Sequence, residues 1–184
     1  MKKSILFATF LLILATWMTG CASKETAATL AEPPINKEIT IDLINSKGLK
    51  VGTAHLTQLI KGVKIDVEAA SLTPGKHGIH FHDTGKCEAP DFKTAGSHFN
   101  PGAMQHGFDN PNGYHEGDLP NLDVAADGKA KAEFFSTNVT LEKGKPNSLL
   151  KDGGTALVIH DKADDLKTDP SGNSGDRIAC GVIQ

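Results

Sequence analysis

The sequence predicts an all-β fold, an eight-stranded antiparallel Greek-key sandwich or flattened barrel with two long functional loops. Three observations carry this. Short apolar segments alternate residue by residue with polar ones, the period of a half-buried strand. Turn dipeptides separate them, and glycines are many (19) while aromatic residues make up only 5% of the chain. No stretch of the expected globular part shows the 3.6-residue apolar period of a helix.

Taken in order, Ile39, Ile41 and Leu43 alternate with Thr40 and Asp42 and read as the first strand. Ser46-Lys47-Gly48 turns the chain into a second strand over 50–59, and Lys61-Gly62 into a third with Val63, Ile65, Val67 and Ala69 on one face. Ser71 to Gly75 leads into a histidine-bearing strand, Lys76 to His82, in which His80 and His82 share a face opposite Ile79 and Phe81. A hairpin is expected across Asp127-Gly128, joining strands over 121–125 and 131–135. The segments 155–160 and 178–183 complete the set.

Between Asp83 and Pro120 the alternation disappears. A structureless stretch of that length is uncommon in a compact domain unless it is functional and held down. This one contains Cys87, His98, His106, His115 and Asp118. A second loop, 161–176, separates the last two strands.

The N-terminus reads as a targeting segment. Lys2 and Lys3 precede an apolar run from Ile5 to Met18, shorter than the ~20 residues that span a bilayer. Met18-Thr19-Gly20-Cys21 closes it and resembles a bacterial lipoprotein signal, with Cys21 as the lipidated residue. The expected organisation is therefore a signal peptide over 1–20, a lipidated cysteine and flexible tether over 21–34, and a globular domain over 35–184. The expected location is the cell envelope, with the exported protein anchored to membrane through its N-terminal lipid. Taking Cys21 as the lipid site leaves Cys87 and Cys180, an even pair for an oxidising compartment. The whole chain carries a net charge of -3, and losing Lys2 and Lys3 with the signal takes the mature chain to -5 (-3 minus 2). That balance gives no basic face for nucleic acid.

Imidazoles are the commonest protein ligands for copper and zinc. Beside His80 and His82 stand Gly96-Ser97-His98-Phe99-Asn100-Pro101, His106-Gly107, His115-Glu116-Gly117-Asp118-Leu119 and His160-Asp161-Lys162-Ala163-Asp164-Asp165. On these residues the chain, from about Ile35 to its end, closely resembles the copper/zinc superoxide dismutases. The resemblance implies copper held by His80, His82, His98 and His160, and zinc held by His98, His106, His115 and Asp118, with His98 bridging both ions. It makes Asp164 the carboxylate that links His80 to His106, His77 a buttress of the copper-side strand, and Arg177 the cation that orients the substrate, superoxide anion. It agrees with a Cys87–Cys180 disulfide. His98 and Arg177 are the residues expected to take part in the reaction, disproportionation of superoxide to oxygen and hydrogen peroxide. Asp176, beside Arg177, is a departure that would weaken local attraction for an anion. His55 reads as a solvated strand residue. The alternative is a non-catalytic metal-binding envelope protein on the same fold. The sequence leaves monomer and homodimer both open.

Overall fold

The structure, a computed structural model, describes residues 37–184. The expected signal, Cys21 and the tether lie outside the described residues. Nine strands follow in order: β1 (Glu38–Asn45), β2 (Lys50–Leu59), β3 (Gly62–Ala69), β4 (Gly75–His77), β5 (Ile79–His82), β6 (Leu122–Val124), β7 (Ala130–Ser136), β8 (Thr155–His160) and β9 (Arg177–Ile183). One 3-10 turn, Lys93–Ala95, interrupts the first long loop.

Seven strands form one antiparallel sheet in the order β5-β8-β9-β1-β2-β3-β7, while β4 and β6 pair separately. The edges of the large sheet are β5 and β7. Their neighbours along the chain, β4 and β6, pair with each other through Gly75↔Val124 and His77↔Leu122, so the sheet curls back towards closure.

Two local differences from the sequence expectation follow from this curl. The histidine strand divides at Gly78, since its first half pairs with β6 and its second with β8. The Asp127-Gly128 turn forms, with the Gly128 N–H donating to Ala125 O at 2.9 Å and the Ala125 N–H to Lys129 O at 2.8 Å. Its two strands then part, β6 to β4 and β7 to β3. The expected hairpin is a corner.

Alternation buries one face of each outer strand. In β3, Val63, Ile65 and Val67 lie in the main core with Leu43, Leu56, Phe81, Leu157 and Ile159. The strands β5 and β8 are buried on both faces. Their inward residues join the main core. On the outer face of β8, Ala156 and Val158 pack with Phe92, Ala95 and Cys180 in a smaller cluster under the first long loop.

That loop is fastened by main chain. The Phe81 N–H donates to Gly117 O, the Phe99 N–H to Phe81 O and the Asp83 N–H to Ser97 O, all at 2.8–2.9 Å. The backbone of β5 is thereby satisfied by the loop beside it. A disulfide between Cys87 and Cys180, with Cα atoms 5.7 Å apart, fixes the loop to β9.

Candidate metal centre

Strand alternation puts His80 and His82 on the outer face of β5, opposite Val158 and Ala156 of β8. His160 ends β8 on that same face, and the bridge between His82 and His98 brings in a fourth imidazole from the loop. Each of the four offers a ring nitrogen, all within 4.8 Å of one another. His80 Nδ1, His82 Nε2, His98 Nε2 and His160 Nε2 are all buried without a hydrogen-bond partner. Buried polar atoms without partners are rare in folded proteins. Four in one place, all lone-pair donors, define a metal pocket.

The opposite nitrogen of each strand-borne ring is held. His80 Nε2 meets Asp164 at 2.7 Å, His82 Nδ1 donates to Gly96 O at 3.0 Å and His160 Nδ1 to Gly175 O at 3.2 Å. Such bonds fix tautomer and ring angle before a metal arrives. Burial dominates the protonation of these rings. It pushes His80 down to about 3 and His160 to about 4, and His82 well below its ordinary value, with neighbouring His98 adding to the shift of His80 and His82. The cluster is neutral and its lone pairs are free at physiological pH.

A second cluster shares His98. His98, His106, His115 and Asp118 also place one donor atom each within 4.8 Å. Asp118 Oδ1 lies 3.1 Å from both His98 Nδ1 and His106 Nδ1, and His115 Nδ1 lies 3.3 Å from His98 Nδ1. The other oxygen of Asp118 accepts from the Gly107 N–H and the His115 N–H. Burial by itself would raise the Asp118 pKa, but these bonds hold it well below the usual carboxylate range. Burial likewise opposes a charge on His106, yet Asp118 on one side and Asp164 on the other raise its pKa to about 9. Three imidazoles and one carboxylate suit a closed tetrahedral zinc site, with no position left for an activated water.

Asp164 stands between the two clusters, bonded to His80 and, at 3.0 Å, to His106 Nε2. Burial opposes its ionisation, but those bonds lower its pKa. Asn121 clamps its backbone in both directions at 2.8 Å. His77 lies in neither cluster, and its Nδ1 contacts His160 O at 2.6 Å. Arg177 is half-buried, its Nη1 donating to Phe92 O and its Nη2 to Gly96 O, both at 2.7 Å. Gly96 O thus receives both His82 and Arg177, which seats the cation beside the strand-borne cluster. Asp176 is exposed and lines a shallow cavity beside Arg177 with Ser46, Asp91 and Lys93. His55 is remote from the centre, with its Nδ1 2.8 Å from Thr40 Oγ1 on the outer face of the sheet.

Three contributors escaped the sequence reading. Asn121 holds Asp164. Asp169 Oδ1 accepts from the His106 N–H at 2.7 Å. Phe92, buried in a left-handed conformation, turns its carbonyl to Arg177. The first two are loop polar residues like many others, and a positive φ at phenylalanine leaves no mark in sequence.

A curled antiparallel sheet carrying two histidine clusters joined by one imidazole defines a β-barrel protein with a paired metal centre. The sequence profile of the copper/zinc superoxide dismutases matches residues 50–183, and the chain belongs to that family. It is 51% identical to superoxide dismutase (Cu-Zn) 1 of Aquifex aeolicus over 144 residues, 78% of this chain and 85% of that protein. The crystal structure of a SOD-like protein from Bacillus subtilis superposes with a TM-score of 0.77 at 43% identity, covering 79% of this chain and 97% of that one. The Cu/Zn superoxide dismutase from Brucella abortus gives 0.66 at 30% identity, covering 80% and 100%.

Proposed function

We propose that the protein is a superoxide dismutase, with copper at His80, His82, His98 and His160 and zinc at His98, His106, His115 and Asp118. The observation that carries this is the convergence of four unpartnered imidazole nitrogens, one of them on a ring whose other nitrogen faces the second cluster. When bound, copper supplies a one-electron Cu(II)/Cu(I) couple and zinc a fixed positive charge.

The residues supply the rest. Arg177, held by two carbonyls, keeps its charge aimed and attracts a small anion to the strand-borne cluster. With copper bound and supplying that couple, His98 Nε2 would be the atom that carries a proton whenever it is not donating to the metal, and that proton, with a second from solvent, would complete the hydrogen peroxide formed from one superoxide while another leaves as oxygen. His98 Nδ1, fixed in the loop-borne cluster, keeps the ring in place through both halves. Asp164 holds His80 and His106 at fixed angles, and the Cys87–Cys180 link holds the loop that carries Gly96 and His98.

A non-catalytic metal-binding protein on the same fold is the competing reading. It is disfavoured because every imidazole of the strand-borne cluster is present and convergent. Metal analysis of the purified protein alongside a superoxide-consumption assay tests the choice: copper and zinc bound with rapid consumption is expected, and bound metal without consumption would favour the competitor.

The envelope assignment rests on the N-terminal sequence. In this reading Cys21 is lipidated and anchors the domain to membrane through the stretch 21–34. Cys21→Ser should release the protein from the membrane fraction or block its processing, and an unchanged fraction with an unchanged N-terminus would refute it.

A further inference from the structure

The β8–β9 ladder has an irregularity where the site begins. Ile159 opposes Ala179, but His160 opposes Arg177, leaving Ile178 as the extra residue of a bulge on β9. Bulges bend a strand and re-aim its side chains, at the cost of disrupting the ladder. Here the ladder is resumed just beyond. The Asp161 N–H donates to Asp176 O at 2.8 Å, and Asp161 Oδ1 accepts from the Asp176 N–H at 2.7 Å. A side-chain oxygen thus replaces the main-chain acceptor that the bulge has displaced.

The closed ring of two bonds grips Asp176 by its N–H and its C=O, and the bond to its N–H holds one end of the 175–176 peptide. Gly175 O, within that grip, accepts from His160 Nδ1, and Arg177 follows at once with its guanidinium on Phe92 O and Gly96 O. Gly175 has φ +80°, and a Cβ on it would collide with Asp161 Oδ1. The position is bare because the carboxylate occupies the space a side chain would need. Asp164 stands over Gly172 in the same way. Two acids of the 161–176 loop are thereby seated on two of its glycines.

We propose that Asp161 is a positioning residue that ties His160 to Arg177 by holding the 175–176 peptide. The tie rests on the reading of His160 as a copper ligand and Arg177 as the anion-directing cation. It depends on the acceptor geometry of Oδ1 and needs no charge. An amide oxygen at the same place serves equally well, whereas a longer carboxylate is driven against Gly175.

The full-length protein carrying Asp161→Ala, Asp161→Asn or Asp161→Glu tests this in three ways. Hydrogen exchange of the Asp176 amide is followed by NMR in metal-free protein. Copper affinity is read by competition with a chelator, and azide affinity from the copper absorption band. For Asp161→Ala the Asp176 amide should exchange about tenfold faster or more, the loss of one hydrogen bond. Copper should bind about tenfold more weakly, the scale of an outer partner of a metal ligand. Azide should bind more weakly, and Asp161→Asn should restore exchange and copper affinity. Should the alanine variant not fold, Asp161→Glu against Asp161→Asn carries the test, with glutamate defective and asparagine intact. Wild-type exchange and copper affinity in Asp161→Ala, or Asp161→Asn as defective as Asp161→Ala, would overturn the proposal. Controls His160→Ala and Arg177→Ala separate the readings. If His160→Ala leaves copper affinity unchanged and Arg177→Ala leaves azide affinity unchanged, the metal-site reading fails, while Asp176 exchange in metal-free protein still reports on the tie.

Discussion

The two clusters that share His98 are built in opposite ways. The strand-borne cluster takes His80, His82 and His160 from β5 and β8, where the pleat fixes their directions, and it presents neutral nitrogens with no partner. The loop-borne cluster takes His106, His115 and Asp118 from the long loop and satisfies itself around the carboxylate of Asp118. One is a pocket prepared by a rigid scaffold. The other is a polar network that helps to order the loop it sits in. A site whose ion changes charge during turnover gains from neutral donors in fixed places, and a site whose ion stays put gains from a carboxylate that balances it.

The sharpest test of this division removes the ring that belongs to both sides. His98→Ala should abolish most superoxide consumption and uncouple the two metals, read from an activity assay with metal content measured on the same sample. If the variant bound both metals and kept near wild-type turnover, the clusters would not form one bridged centre.

The loop-borne half should depend more on what fastens the loop. Cys87→Ser removes a link across a sequence separation of 93 residues, and the chain-entropy account assigns such a link ~4.5 kcal/mol. Urea unfolding should show a loss approaching that size. Zinc retention should suffer before the β5–β8 pairing does, as amide exchange on those strands would show. Equal loss of protection in loop and strands would erase the contrast.

Protonation separates the clusters further. In metal-free protein His80 and His160 have folded pKa values of about 3 and 4, below the unfolded value of about 6.5. Below pH 6.5 the unfolded chain therefore binds the extra protons, and stability falls by up to about 1.4 kcal/mol per pH unit for each such group. His106, at about 9, works in the other direction. Its contribution is complete below pH 6.5 and is lost as pH rises through 9. Asp118 and Asp164, with lowered pKa values, add stability that is lost only as acid protonates them. Unfolding free energies of metal-free protein should peak near pH 6.5 and fall more steeply on the acid side, where several buried rings act together. A flat profile between pH 6.5 and 4.5 would contradict the buried neutral cluster.

The smallest effects concern the approach to the strand-borne side. An acidic protein repels superoxide at long range, so attraction must come from charge within a Debye length of about 8 Å. Arg177→Ala should lower the second-order rate by about tenfold with metal content unchanged, and Arg177→Glu should lower it further. Asp176 lies exposed on the rim beside Arg177 and Lys93. Asp176→Asn should raise the rate modestly, with the gain shrinking as salt is added, and an unchanged rate at low salt would place its charge outside the approach.

The sequence by itself determined the strands, because period-two alternation in segments such as Ile39 to Leu43 and Val63 to Ala69 is a local property that each residue pair enforces. It also determined the kinds of donor available, since the spaced histidines and Asp118 are imidazole and carboxylate ligands wherever the fold places them. Only the tertiary structure decided which of these meet. Whether His98 faces both clusters depends on loop main chain pairing with β5 through Phe81, a contact between residues with no local signal. The corner after β6, the bulge at Ile178 that sets Arg177 opposite His160, and the carboxylate of Asp161 beneath Gly175 have the same origin. Each is a hydrogen bond or a steric gap satisfied by a distant partner, and the cost of leaving a buried backbone group unpaired selects it only once the sheet has curled.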